Sequence, residues 1–179
     1  MAITTGIFGD KANIKDRYVP NHKKLKELVS LWKKLGLKIV LTSGTFDLFH
    51  VGHAKYLERA KALGDLLIVG VDSDAKVKSR KGPHRPIVPE LERIEILTHI
   101  RHVDVITLKG HKDPKDHLIR LVHPDVLVTS ESTKHHKKDL KEKSKYCGKI
   151  VNLPAQSKTS TSAKIRLIHV KGAEANEKE

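Results

Sequence analysis

Apolar residues fall at two periods along the chain. Leu25, Leu28, Val29, Trp32 and Leu35 recur at helical spacing, and Gly36 follows where a C-cap glycine belongs. Residues 21–35 are therefore an amphipathic helix with a face to bury. A short apolar run at 38–42 reads as a buried strand. Ala54, Leu57 and Ala60 mark a helix that stops at Gly64, and 66–71 is apolar throughout, as in a central parallel strand. Pro89 suits the first position of a helix that continues through Ile94, Leu97 and Ile100. A strand at 103–107 follows, and Pro114 opens a helix through Leu118, Ile119 and Val122. Strands at 125–128 and 149–153 flank a Lys-rich helix at 134–146, and Ser160 starts a last helix through Ile165 and Ile168. Strands alternating with helices predict an α/β domain, a Rossmann-like parallel sheet with helices on both faces. Its ligand belongs at the carboxyl ends of the strands, where the strand order switches.

The sequence divides into an arm over 1–20, one domain over 21–170 and a disordered tail over 171–179. No apolar run approaches the ~18 residues of a membrane span. Residues 1–16 lack the apolar stretch of a signal peptide. A single cysteine, Cys147, excludes a disulfide framework and a multi-cysteine zinc site, and a reducing, cytoplasmic setting is expected.

Charge changes the picture. Thirty-five Lys and Arg against 21 Asp and Glu leave +14 among 179 residues, a field that attracts polyanions or phosphorylated small molecules. Aromatics are only 4%, so stacking platforms for single-stranded nucleic acid are scarce. A basic nucleic-acid-binding protein remains the alternative from another functional class.

The first strand runs into Thr42-Ser-Gly-Thr-Phe-Asp-Leu-Phe-His-Val-Gly-His53. Gly44 permits close backbone approach at the sheet edge. His50 and His53 flank Gly52 and land at the start of the next helix, whose free N–H groups form a phosphate site. Two imidazoles and the Thr45 hydroxyl can donate to phosphoryl oxygens there, which suits stabilising charge on a phosphoryl group in transit. Zinc would want further Cys or carboxylate ligands, and only Asp47 is near in sequence. Asp47 reads as a loop hydrogen-bond partner rather than a general base. His135 and His136 among lysines read as a solvated helix.

This segment resembles the first signature of the H-x-G-H nucleotidylyltransferase superfamily, in its cytidylyltransferase-like branch. Residues 57–65, 81–93, 102–106, 124–128 and 159–162 are similar to the later motifs, in the family's order. The resemblance implies that a substrate phosphate attacks the α-phosphorus of a nucleoside triphosphate and pyrophosphate leaves, usually with Mg²⁺. It implies catalytic roles for His50, His53 and Lys81, the last on a mobile loop with Arg80 beside it. It implies nucleotide or phosphate contacts from Gly44, Thr45, Phe46, Gly52, Arg93, Thr129, Ser160, Thr161 and Ser162. Arg93 could instead pair with Glu90 or Glu92 along its helix. A homodimer is expected on the same ground.

Two subfamilies resemble the chain. Lys81-Gly82, Arg85-Pro86, Pro89 and the turn at 146–148 look like the adenylyltransferases that activate heptose 1-phosphate. Glycerol-3-phosphate cytidylyltransferases carry an arginine ahead of the Ser/Thr motif, where this chain has Ala155-Gln-Ser-Lys158. That departure favours ATP over CTP. The heptose type has a Gly-Gly-Asp-like turn where this chain has Thr129-Ser-Glu-Ser132, so the sugar itself stays open.

Overall fold

The structure is a computed structural model that describes residues 13–131, 137–157, 161, 163, 165 and 166 (of 137 and 138 the backbone alone). Five strands form one wholly parallel sheet: β1 (Ile39–Gly44), β2 (Leu66–Asp72), β3 (Val105–Lys109), β4 (Val126–Ser130) and β5 (Lys149–Leu153). Their order is β3-β2-β1-β4-β5. The chain walks outward from β1 through β2 to β3, then returns to the other side of β1 for β4 and β5. The order thus switches beside β1, the position at which open α/β sheets bind ligands.

Alternation along the strands supplies both faces. Val40, Leu67, Val69, Ile106, Val126 and Val128 point to one side. They pack with Leu57 and Ala60 of α3 (Val51–Lys61) and Ile94 and Leu97 of α5 (Glu90–Thr98). Ile39, Leu41, Leu66, Ile68, Val105 and Leu127 point to the other. Against them lie Leu25, Val29 and Trp32 of α2 (His22–Lys34) and Leu118, Ile119 and Val122 of α6 (His117–Val122). The expected parallel sheet with helices on both faces is what the chain forms. Helix α2 covers its own sheet, and Gly36 ends it at φ +76°, in the left-handed region that glycine enters without a Cβ penalty.

Several boundaries move, each for a local reason. Pro89 is the N-cap of α5 rather than its first residue; its ψ of 152° is extended. Asp116 at φ +60° delays α6 until His117, past the Pro114 start. Strand β3 begins two residues late: at Asp104 the carboxylate takes the strand partner's place, accepting from Leu67 N (2.7 Å) and Lys61 Nζ (2.7 Å), while Asp104 N donates to Leu67 O at 3.2 Å. The Lys-rich segment is α7 (Lys137–Lys143) followed by a 3₁₀ turn at Ser144–Tyr146. His135 and His136 lie outside the described residues. A helix not expected from the pattern, α4 (Asp74–Lys81), buries only Val77 and starts at an N-cap Ser73 whose Oγ accepts from Lys76 N at 3.3 Å.

The described part of the 1–20 segment is packed rather than loose. Residues Ile14–Arg17 form the short helix α1. Arg17 is buried and donates to the carbonyls of Val103 (2.8 Å) and Ile100 (3.2 Å), and Tyr18 bridges to Ile106 of β3.

Candidate active site

The signature loop leaves β1 at the switch point and enters α3. Phe46 and Leu48 hold φ of 53° and 46°, a left-handed conformation that side-chain-bearing residues adopt only when their surroundings impose it. Those surroundings are visible. Buried Asp47 accepts from Val88 N (2.9 Å), Ile87 N (3.1 Å) and Arg85 Nε (2.9 Å). Burial alone would raise its carboxyl pKa, but those N–H donors and the Arg85 guanidinium outweigh burial and hold it below the usual carboxylate range. Asp47 is therefore a clamp between the loop and residues 85–88. On the other side Thr161 Oγ1 donates to Asp47 O at 2.9 Å, which fixes the last helix to the same loop.

His50 caps α3: its Nδ1 accepts from Gly52 N at 3.0 Å. In the neutral ring that bond leaves the hydrogen on Nε2. His53, one turn in, stacks on it with ring centroids 4.0 Å apart. Phe46 and Phe49 flank His53 at 5.5 and 5.4 Å. The two imidazoles and the helix N-terminus thus form one rigid donor surface. Gly52 is needed for the crowding there, since a Cβ would fall 2.4 Å from Ser157 Oγ and 2.8 Å from the His50 ring. The same approach brings Ser157 to the first turn of α3.

Of the other expected residues, Gly44 and Phe46 pack on each other, a Cβ on Gly44 meeting the Phe46 ring at 3.2 Å. Thr45 is buried and its hydroxyl accepts from Arg80 at 3.2 Å. Thr129, on β4, donates to Asn152 Oδ1 of β5 at 3.1 Å. Lys81 ends α4 rather than riding an irregular loop. Burial of its ammonium, with Arg80 and Arg85 nearby, lowers its pKa. Ser160 and Ser162 lie outside the described residues.

Arg93 differs from both sequence readings. It is 1% exposed and donates to Thr45 O (2.5 Å), Asp72 O (2.9 Å), Val88 O (2.9 Å) and Asp74 Oδ1 (2.7 Å). Its guanidinium joins α5, α4, β2 and the signature loop rather than pairing with Glu90 or Glu92. It is a positioning residue. Asp72 was not legible in the sequence: buried at the end of β2, it pairs with Arg80 (2.8 Å) and Lys109 (3.3 Å). Burial would raise its pKa, and those two cations outweigh it and lower it. Nothing in local sequence marks Asp72 or Lys109, and Arg85 stands out only through Arg85-Pro86 in the heptose-type resemblance.

The match of a cytidylyltransferase-like family model to residues 41–173 decides the family. The chain belongs to the cytidylyltransferase-like family. Among curated proteins it is similar to the bifunctional protein HldE of a Nitratiruptor species, 42% identical over 113 residues, 63% of this chain and 24% of that one. The bifunctional protein HldE of Campylobacter jejuni (strain RM1221) is 46% identical over 106 residues, 59% and 23% of the two chains. This cytidylyltransferase-like chain spans about a quarter of the length of those relatives. The crystal structure of the lipopolysaccharide core biosynthesis protein from Thermoplasma volcanium GSS1 matches at 30% identity and TM-score 0.58, over 67% of this chain and 98% of that one. Pantoate-beta-alanine ligase from Francisella tularensis shares the fold, at 19% identity and TM-score 0.61, over 82% and 69% of the chains.

Among the described residues no group of three or more His, Cys, Asp or Glu is placed to hold a metal ion. A protein-built Mg²⁺ cage does not fit these residues. No helix among them is long and apolar enough to cross a membrane.

Proposed function

We propose that this chain transfers AMP from ATP to a phosphorylated small molecule such as a sugar phosphate. A phosphate oxygen of the acceptor attacks the α-phosphorus, the bond from that phosphorus to the α,β-bridging oxygen breaks, and pyrophosphate leaves. The observation that carries this reading is the stacked His50–His53 pair on the N-terminus of α3, at the sheet's switch point. Donors fixed before the reaction stabilise charge that develops on the transferring phosphoryl oxygens. Lys81 and Thr161 stand on the two segments tied to the signature loop and would hold the leaving phosphates, with Ser160 and Ser162 beside Thr161 in sequence. Mg²⁺ would arrive on the triphosphate with its own waters, which requires no dedicated protein cage.

ATP is favoured because Ser157 lies at the first turn of α3 and no arginine stands at 155–158 to reach a base edge. The acceptor class follows from the heptose-type resemblance and from the family match. A homodimer belongs to the proposal. Val51, Ile87 and Leu91 are exposed apolar residues around the signature loop and would form its contact, detectable by light scattering at micromolar protein. The deciding experiment is a pyrophosphate-release screen of ATP and CTP against sugar 1-phosphates and glycerol 3-phosphate. Turnover with ATP and a sugar phosphate is expected. Tighter binding of CTP with turnover to match would make the protein a cytidylyltransferase.

A further inference from the structure

A cavity of about 550 Å³ opens at the carboxyl ends of β1 and β3, on the sheet face that α2 and α6 cover. That volume lies in the range of small-molecule sites. Leu41, Leu118 and Ile119 form its apolar part. Ser43 and Arg80 line the side next to the signature loop. Ser43 precedes Gly44 in the chain, and Arg80 donates to Thr45 Oγ1 at 3.2 Å.

Much of the polar wall is engaged by the protein itself. Lys109 Nζ donates to Ser43 Oγ at 3.0 Å and lies 3.3 Å from Asp72 Oδ1. Lys76 donates to Gly110 O at 3.3 Å, and Lys115 pairs with Asp139. Asp113 accepts from Gly110 N at 2.6 Å. His117 is engaged on one ring nitrogen only, and what the other shows to a ligand is set from behind.

His22 Nε2 lies 2.9 Å from Leu108 O of β3. A carbonyl oxygen only accepts, so His22 Nε2 carries the hydrogen. In the neutral ring His22 Nδ1 is then an acceptor. His117 Nε2 lies 3.1 Å from that Nδ1 and must donate to it. The other nitrogen of a neutral His117, Nδ1, is left with a lone pair. Among the described residues no hydrogen bond reaches it. A backbone carbonyl of β3 thus fixes, through two rings, an acceptor on a residue of the cavity wall. An ionised phosphate oxygen only accepts and gains nothing from that lone pair. A hydroxyl group can donate to it.

We infer that this cavity holds the hydroxyl-bearing end of a sugar or polyol monophosphate, with His117 Nδ1 accepting from one of its hydroxyl groups. This rests on the proposed nucleotidyl transfer, which requires the phosphate end to lie at the signature loop, beyond Ser43 and Arg80. His117 is a specificity residue for the acceptor. His22 is a positioning residue that acts through the His117 tautomer. A site that hydrogen-bonds a hydroxyl leaves a polar group unpaired when the analogue lacks it, so it rejects that analogue more strongly than an apolar wall does.

The test has two readouts on the full chain without nucleotide. The first is nitrogen NMR of the histidine rings at about pH 8.5, well above the ordinary histidine pKa of about 6.5. His117 should show hydrogen on Nε2 and none on Nδ1. In His22→Phe, checked for folding by circular dichroism, both nitrogen shifts of His117 should move toward those of a freely averaging ring. The second is calorimetric titration with glucose 1-phosphate and its 4-deoxy and 6-deoxy analogues. At least one analogue should bind roughly tenfold more weakly than the parent, the scale of one lost hydrogen bond with its partner left unpaired. In His117→Phe that difference should fall to less than about twofold, and glucose 1-phosphate should shift the His117 Nδ1 signal of the wild type. Hydrogen on Nδ1, His117 shifts that His22→Phe leaves unmoved, no binding of glucose 1-phosphate, equal binding of all three sugars, or a deoxy penalty that persists in His117→Phe would each overturn the inference. Neither readout involves turnover, so a failed pyrophosphate screen counts separately against the transferase reading.

Discussion

His53, the proposed hydrogen-bond donor to the phosphoryl group, retains little freedom. Its ring is confined by His50, Phe46 and Phe49, so its orientation is fixed before substrate arrives. Loss of one preorganised donor costs 10²-fold or more when it acts in the transition state. His53→Ala should lower kcat by at least ~10²-fold with little change in the nucleotide KM. Near-normal turnover in a folded variant would refute the role. Asp47 works beside it by charge rather than contact with substrate. Its folded pKa lies below the ordinary value of about 3.9, so its clamp contributes stability that is complete above that pH. As pH falls through the lower, folded value, the carboxylate is protonated and that contribution goes. Asp47→Asn, which breaks a buried ion pair, should cost roughly 3 kcal/mol at neutral pH. Urea melts at neutral pH and at about pH 3 should show the wild-type advantage shrinking in acid; an advantage that persists or grows there would contradict the clamp.

At the scale of elements, what the sequence made legible follows burial. Strand β2 is apolar on both faces because both faces are covered, and a run of that kind can be read directly. Helix α2 is legible by its stripe, for Leu25, Val29 and Trp32 all meet the sheet. Helix α4 was not, because one apolar residue gives no periodicity, and what holds it in place is an ion-pair system. The signature loop was legible as a strand-to-helix turn that sets both histidines at the start of α3, since that pattern is local in sequence. Its support was not: Arg93 reaches Thr45, 48 residues away, and Arg85 reaches Asp47 across 38. No local pattern encodes such pairs. Arg93 therefore tests how elements position the site. Arg93→Lys keeps the charge but cannot span four acceptors from a single ammonium. Leaving those acceptors buried and unmatched should destabilise the fold by roughly 3 kcal/mol or more. It should also lower kcat through Thr45, more than it raises KM. Wild-type stability and kcat in Arg93→Lys would show that the guanidinium geometry is dispensable.

At the scale of the molecule the charge is the remaining question. The chain carries +14, an excess that its internal ion pairs leave unchanged. Arg80, Arg85, Arg93 and Lys61 neutralise the buried or half-buried carboxylates Asp72, Asp47, Asp74 and Asp104. Lys76, Lys109, Lys115 and Lys143 line a cavity at the carboxyl ends of β1 and β3, where Asp72, Asp113, Asp116 and Asp139 offset part of their charge. A cationic mouth beside a low-dielectric wall raises the local concentration of anionic substrates and the rate at which they arrive. That effect is long-range and screened, with a Debye length of about 10 Å at 0.1 M salt and about 3 Å at 1 M. A direct contact of His50 and His53 with phosphate, as proposed, would be screened far less. The two should separate kinetically. Between 0.02 and 0.5 M KCl (roughly the span over which screening goes from slight to nearly complete), kcat/KM for the phosphorylated acceptor should fall severalfold while kcat holds. Nucleic-acid binding would behave otherwise, since releasing counterions from each neutralised phosphate gives a steep logarithmic slope, and a duplex contacted by six or more cations loses about 10³-fold or more between 50 and 200 mM salt. Retention of a random duplex with that slope, together with acceptor kinetics indifferent to salt, would assign the surface charge to a polyanion partner. A salt-sensitive kcat/KM with weak duplex binding assigns it to delivery of small phosphates to the sheet's carboxyl edge, which is the outcome the position of the cationic rim predicts.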